Sequence, residues 1–245
     1  MKTINFCGDS FCQNEQVSAA WTVLLAYKLN ASIVGWGKGG YAHEHAIQTF
    51  DDTADYTIFC WTEAHRIYVD KTYSTNLWNI EAMCAPDKLD LSSGVKLRQP
   101  VPIPTKRDKA TYAYYKYLYK PILHHERQIR DLYWFDNVVL SKYKGVAIHL
   151  FCFQNTYTFT NGINVSDILW DKTREHKLKK LKKLNPDYKM QDNEYETYAN
   201  HLTEQENSGL ADKIYNIIKE DHEKTNSNRS KNILLSKCTV CYGRI

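Results

Sequence analysis

The first serine of the chain follows a short apolar run, a position where its hydroxyl could do chemistry. Residues 3–7 predict a strand, and the strand ends at Gly8-Asp9-Ser10. Parallel α/β sheets place their sites at the carboxyl ends of the strands, so we expect Ser10 to be exposed there. A serine hydroxyl is a weak nucleophile until a base removes its proton. The other interpretation is that Ser10 caps the following helix, and the tripeptide alone favours neither.

A histidine near the other end of the sequence is the candidate base. His201 lies in Asn200-His201-Leu202, directly before residues 203–218, whose periodicity predicts an amphipathic last helix. A histidine at that point can reach back to a serine at the end of the first strand and take its proton. Taken alone, one histidine among nine is more often a surface or cap residue.

Together these blocks resemble the SGNH (GDSL-type) hydrolase family. The pattern consists of the early Gly8-Asp9-Ser10, a glycine-rich stretch at 35–40 after the second predicted strand, and the late His201. The phrase Asn200-His201-Leu202 followed by Leu210-Ala211 is similar to small members encoded by phages and marine bacteria. The resemblance covers residues 3–66 and 196–218 directly, with 143–153 as an intervening strand.

The resemblance implies an ester-cleaving serine hydrolase that needs no cofactor. Ser10 matches the nucleophile and His201 the base, while the backbone N–H groups of Ser10 and Gly40 match two oxyanion donors. Substrates of the family include O-acetyl groups on carbohydrate. The implied fold is a three-layer α/β sandwich with a mostly parallel central sheet of flavodoxin-like topology.

The block after the third predicted strand departs from the family pattern. Where the family has Gly-x-Asn-Asp, with the asparagine as an oxyanion donor, this chain has Trp61-Thr62-Glu63-Ala64-His65-Arg66. An ionised Glu63 cannot donate a hydrogen bond. Thr62 is our first candidate for the missing donor, and His65 and Arg66 are secondary candidates.

The carboxylate that orients the base is also missing from its family position. The aspartate three residues before the histidine is replaced by Tyr198. Glu196 is the nearer candidate for the third triad member and Asp192 the other, and a dyad of Ser10 and His201 alone stays open. The alternative function is a catalytically weak or inactive SGNH-fold binding or structural protein, such as a phage particle component.

Alternating strands and helices must position these residues. Strands are predicted at 3–7, 32–35, 56–61 and 146–153, and helices at 17–29, 43–50, 110–140 with a break near Pro121, and 203–218. We therefore expect one domain over 1–220 with insertions near 70–108 and 155–195, followed by a polar, loosely held tail over 221–245. The insertion near 70–108 is expected to be irregular.

The composition limits the partners. The 245 residues carry a formal net charge of +4 and contain no apolar run long enough to span a membrane. No secretory signal is recognisable, so we expect cytoplasmic synthesis, with association to a virion if a phage encodes the chain. Nucleic acid is a weaker option that depends on the basic run 172–183, which we interpret first as a solvated helix docked by its leucines.

The cysteines and histidines indicate no metal. Seven cysteines, an odd number, predict free thiols, and a single pair at Cys238 and Cys241 lacks two further ligands. His43-x-His45 and His124-His125 lack carboxylate or cysteine companions at metal spacing. We therefore predict that the protein holds no metal. The ligand that we expect is an uncharged ester or a glycan ester, and we expect no membrane association.

Overall fold

The computed structural model describes residues 1–14, 18–70, 73–85, 103–188 and 199–239. The strands are β1 (Lys2–Gly8), β2 (Ala31–Gly35), β3 (Tyr56–Trp61), β4 (Ile67–Asp70), β5 (Tyr73–Thr75), β6 (Val146–Phe151) and β7 (Ile163–Ile168). The helices are α1 (Trp21–Leu29), α2 (His43–Gln48), α3 (Leu77–Cys84), α4 (Lys106–Tyr117), α5 (Pro121–Trp134), α6 (Arg174–Leu184) and α7 (Glu204–Thr239).

Five strands form one parallel sheet in the order β2-β1-β3-β6-β7, and β4 and β5 form a separate antiparallel hairpin. The central strand β3 is buried at every position, which agrees with its unbroken apolar sequence Tyr-Thr-Ile-Phe-Cys-Trp. A parallel strand covered on both faces reads this way because neither face meets water. The predicted α/β class with a mostly parallel central sheet is confirmed.

Helices cover both faces of the sheet. One core joins Ile4, Phe6 and Ile58 to Trp21 and Ile214, which belong to α1 and α7. The other core contains the alternate residues of the same strands, Cys7 and Phe59 among them, with Ala46, Leu132 and Phe135 from the α2 and α5 side. Alternate side chains of one strand point to opposite faces, so these two cores are consistent with a three-layer arrangement.

The predicted break in the long helical stretch is confirmed as the boundary between α4 and α5. Pro121 occupies the first turn of α5, where its missing N–H costs nothing. Thr105 begins α4 with a capping box: its hydroxyl accepts the Asp108 N–H, and the Asp108 carboxylate accepts the Thr105 N–H.

The structure adds elements to three segments that the sequence predicted as insertions or as a tail. The segment near 70–108 contains β5, α3 and the start of α4, and residues 86–102 lie outside the described residues. The region 155–195 contains β7, which adds a fifth strand to the sheet, and α6, which buries none of its residues and leaves Leu184 exposed. The segment after 221 continues α7 as far as Thr239.

The topology places a switch point beside the first strand, the position at which folds of this class form a crevice. The chain leaves β1 for β2 on one side and returns to β3 on the other, and ligands of open α/β sheets bind outside the carboxyl ends of the strands where the order reverses. Ser10 follows β1 at this edge, and the 62–66 block follows β3. Among the described residues, no helix is long and apolar enough to cross a membrane.

Candidate active site

Contacts with β3 and with the Asp9 side chain fix the turn that carries Ser10. A Cβ on Gly8 would lie 2.4 Å from the Cys60 carbonyl oxygen, so only glycine permits this approach to β3. The buried Asp9 caps the short helical turn Ser10–Cys12 by accepting the Phe11 N–H at 3.0 Å. Ser10 therefore does not serve as a cap: Asp9 caps its turn, and α1 begins only at Trp21 without a side-chain cap.

His201 meets Ser10 across the crevice. Its Nε2 lies 2.8 Å from the Ser10 Oγ, and both residues are partly exposed to solvent. The His201 backbone is left-handed, with φ of 65°, which costs a residue with a Cβ about 1 kcal/mol. Strain of this kind tends to occur at functional sites. The two residues that the sequence paired as nucleophile and base are thus within hydrogen-bond reach.

The helix after His201 begins with a capping box. The Thr203 hydroxyl accepts the Glu206 N–H at 3.3 Å, and the Glu206 carboxylate accepts the Thr203 N–H at 3.0 Å. Lys177 pairs with the same carboxylate, and these contacts outweigh burial to lower the pKa of Glu206. The start of α7 is therefore fixed two residues after the candidate base.

The glycine-rich stretch lies beside the nucleophile. The Lys38 N–H donates to the Gly8 carbonyl at 2.9 Å, and a Cβ on Gly39 would lie 3.6 Å from the Ser10 Cβ. Gly40 adopts φ of 82°, a left-handed conformation that favours glycine. Neither the Ser10 nor the Gly40 N–H donates a hydrogen bond to another described residue.

Tyrosines and a glutamine from the α4–α5 hairpin hold the block after β3. The Tyr115 hydroxyl donates to the His65 carbonyl at 2.7 Å, and the Gln128 amide donates to the Thr62 carbonyl at 2.7 Å. Tyr119 bonds the His65 imidazole through its hydroxyl, and burial raises the pKa of that tyrosine. Tyr115 and Tyr119 thus pack against this block and support it.

Of the three candidates for the third oxyanion donor, Thr62 and Arg66 each keep a buried donor without a hydrogen-bond partner among the described residues, the Thr62 hydroxyl and the Arg66 Nε. The His65 ring is bonded to Tyr119, and the Arg66 guanidinium lies between two carboxylates.

Glu63 belongs to a charge cluster beneath the site. Arg66 Nε lies 3.4 Å from Glu63 Oε1, and Arg66 Nη2 lies 3.5 Å from Asp9 Oδ2. The Asn76 amide also donates to Glu63 at 3.2 Å. Asp9 and Arg66 are buried, so the guanidinium offsets the cost of a carboxylate removed from water directly under the Ser10 turn.

The other residues expected near the base lie outside the described residues. These are Glu196, Asp192 and Tyr198. The structure therefore brings together Ser10, His201 and the 39–40 glycines, and it places Thr62, Glu63 and Arg66 at the neighbouring strand end.

Four free cysteines lie in the core, as the sequence predicted: Cys7, Cys12, Cys60 and Cys152. The Cys152 thiol donates to Asp9 Oδ1 at 3.4 Å. Burial raises the pKa of the Cys7, Cys60 and Cys152 thiols, which keeps them protonated and unreactive. Of the C-terminal pair, Cys238 lies in α7 and Cys241 lies outside the described residues.

One group of described residues has metal-ligand chemistry. His43, Glu44 and Asp131 offer ligand atoms within 4.8 Å of one another. Asp131 supplies from α5 a carboxylate companion that the local spacing of His43 did not reveal. His43 Nε2 already bonds Asp131 at 2.9 Å, and Arg127 lies 3.0 Å from Glu44, so the group also forms an ion-pair network between α2 and α5.

Sequence reasoning missed two buried asparagines beside His201. The Asn200 amide donates to the carbonyl groups of Ser10 and Gln13, both at 3.1 Å. Asn207 accepts the Trp21 N–H at 2.8 Å and donates to the Ala199, Leu202 and Thr203 carbonyls. The only signal in the sequence was the position of these asparagines next to the histidine and in the first turn of its helix.

Comparison with known proteins gives this chain no relative. No family model matches it, and neither a curated protein nor a solved structure does. The function is therefore argued from the site itself.

Proposed function

We propose that this protein is a serine hydrolase that cleaves esters, with Ser10 as the nucleophile and His201 as its base. The observation that carries the proposal is the 2.8 Å approach of His201 Nε2 to Ser10 Oγ. The two residues are 191 positions apart and meet at the carboxyl edge of the sheet, where this class of fold binds its ligands. Contact of this kind is what an activated serine requires.

The reaction would run in two halves. His201 accepts the Ser10 proton as the oxygen attacks the ester carbonyl carbon, and the tetrahedral intermediate carries its negative charge on the former carbonyl oxygen. The N–H groups of Ser10 and Gly40, with the Thr62 hydroxyl, would donate to that oxygen. His201 then protonates the leaving alcohol, and a water molecule releases the acid from Ser10 by the same route in reverse.

The resemblance to SGNH hydrolases supplies the substrate class. The strand order β2-β1-β3-β6-β7 is the flavodoxin-like order that this family implies. Short acyl esters, including O-acetyl groups on carbohydrate, are therefore the first substrates to test.

Labelling with a fluorophosphonate tests the nucleophile. The probe should add once to the parent protein, and peptide mapping should find it on Ser10. Ser10→Ala should abolish both labelling and hydrolysis of a short aryl acetate. Ser141→Ala is the matched control, because Ser141 is an exposed serine whose hydroxyl only donates to the Asn137 carbonyl. Equal labelling of parent and Ser10→Ala would refute the proposal.

A binding protein that keeps the fold without catalysis is the second candidate. The observation that favours it is the Glu63–Arg66 pair, which stands where the family has an oxyanion donor. Such a protein would bind acylated glycans without cleaving them, and a component of a phage particle would fit this description. It predicts glycan binding that Ser10→Ala leaves intact, together with a parent protein that does not react with the probe.

A further inference from the structure

No carboxylate among the described residues is bonded to the His201 ring, which leaves open what holds His201 against Ser10. Tyr198 stands at the position of the family aspartate, yet His201 Nε2 lies 2.8 Å from the Ser10 hydroxyl. The ring also contacts Phe11, with centroids 5.1 Å apart. Ring packing alone does not set a hydrogen-bond distance, so another restraint must act on the backbone of the two residues.

The Asn200 side chain is that restraint. It is fully buried, and its amide nitrogen donates to the Ser10 carbonyl and to the Gln13 carbonyl. The residue adjacent to the base is therefore bonded to the backbone of the nucleophile itself. Asn200 has a φ of 55°, and asparagine tolerates this left-handed conformation better than most residues.

The turn around Asn200 is itself anchored. Asn207 is fully buried in α7 and donates to three carbonyl groups of the turn, those of Ala199, Leu202 and Thr203. Its carbonyl oxygen accepts the Trp21 N–H at the start of α1. The turn that presents His201 is thus tied to α1, α7 and the Ser10 backbone.

We infer that Asn200 is a positioning residue for the reaction, and that its two backbone hydrogen bonds hold the His201 turn against the Ser10 backbone. This inference rests on the proposed function. The amide orients the pair without adding negative charge beside the imidazole. It therefore sets the distance between nucleophile and base, and it leaves substrate binding unaffected.

The test replaces Asn200 by glycine, which keeps the left-handed backbone and removes only the side chain. The kcat for a short aryl acetate should fall on the order of 10- to 100-fold, because small misplacements of reacting groups cost about that much. The KM should change little, and fluorophosphonate labelling of Ser10 should slow in proportion to kcat. Asn30→Gly is the matched control, because Asn30 is also left-handed, with φ of 49°, and only ends α1.

The second variant, Asn200→Asp, removes the same hydrogen bond to the Ser10 carbonyl and serves as the test if the glycine variant does not fold. The side chain keeps its size, but a carboxylate cannot donate to the Ser10 carbonyl. It also adds a negative charge beside His201, which favours the imidazolium and should move the acid limb of the kcat profile to higher pH. The added charge would move this limb whatever the amide does, so the rate of Ser10 labelling at a pH above the limb is the readout that tests positioning.

The outcomes separate the two claims. If the parent protein neither reacts with the probe nor cleaves esters, the proposed function fails. If the parent reacts at Ser10 and a folded Asn200→Gly or Asn200→Asp protein reacts at the same rate above the acid limb, the proposed function stands and the role of Asn200 is refuted.

Discussion

The two sides of the crevice are built by different means. On the β1 side, Ser10 and His201 are held by neutral hydrogen bonds from buried asparagines to backbone carbonyls. On the β3 side, the 62–66 block is held by the Glu63–Arg66–Asp9 charges and by tyrosines from the α4–α5 hairpin. The first side matches the residue types of the SGNH pattern, whereas the second departs from them.

This difference indicates which side is constrained by chemistry. A proton transfer needs two atoms at a fixed short distance, and few residue types provide it. A strand end that only lines a crevice can be supported in many ways, including buried charges that must compensate one another. We therefore expect substitutions on the β1 side to affect rate and those on the β3 side to affect mainly stability.

Loss of the base should give the largest effect. His201→Ala should lower the rate of ester hydrolysis by several orders of magnitude, because Ser10 then has no proton acceptor. His65→Ala is the control, since His65 lies on the β3 side and its ring contacts Tyr119. Kinetics on an aryl acetate would measure both. Full activity in His201→Ala with a severe loss in His65→Ala would show that the wrong histidine was chosen.

Removal of the buried cation should give the next largest effect, on stability. Arg66→Met leaves Asp9 buried without its guanidinium, and breaking a buried pair in this way costs about 3–5 kcal/mol. Urea denaturation would measure the loss. Adding Glu63→Gln to the Arg66→Met protein should recover only a small part of the lost stability, because Glu63 is the more exposed partner of Arg66. Stability equal to that of the parent would mean that the charge cluster does not support the fold.

The buried core between β3 and β6 should also lose stability in mild acid. Trp61 Nε1 donates to the buried His149 at 3.1 Å, and burial lowers the pKa of His149 to about 4. The unfolded chain takes up this proton near pH 6.5 and the folded chain only near pH 4. The contribution of the neutral His149 to the free energy of unfolding is about 3 kcal/mol. It is fully present above pH 6.5 and is lost as the pH falls towards 4.

His149→Gln separates this group from the other titrating residues. Glutamine can accept from Trp61 and donate to the Asn161 carbonyl, but it does not titrate between pH 4 and 6.5. The difference in unfolding free energy between parent and variant should therefore shrink as the pH falls through this range. A constant difference would contradict the assignment.

The smallest effect is expected from Glu63→Asn. The substitution introduces the side-chain type of the SGNH pattern, so hydrolysis should rise severalfold if the amide reaches the oxyanion and stay unchanged if it faces Arg66. Steady-state kinetics on the folded variant would measure it. A large loss of activity would give Glu63 a catalytic role.

Local patterns predicted the parts of the fold that local chemistry determines. The apolar run of β3 gave its bounds at Tyr56 and Trp61, and Pro121 gave the break between α4 and α5. The strand β7 was missed because Asn164, Ser166 and Asp167 interrupt its apolar pattern at the edge of the sheet. Its pairing with β6 is a tertiary interaction that no local window contains.

The same reason limits what could be predicted of the site. Ser10 and His201 could be found because each lies at a recognisable boundary of an element. The hydrogen bonds of Asn200 and Asn207 join residues 186 to 190 positions apart, and spacing in the sequence does not reveal them. The Asp9–Arg66 pair was missed for the same reason, although each residue lies beside a predicted strand.

The separation of Ser10 from His201 also has a consequence for how the chain matures. Ser10 is made 191 residues before His201, and contacts so distant in sequence form late because their loop closure is costly. A growing chain would hold an unactivated serine until α7 docks on α1 and brings the histidine turn into place. Reaction with a serine probe would then report complete folding, and partly folded chains would stay silent.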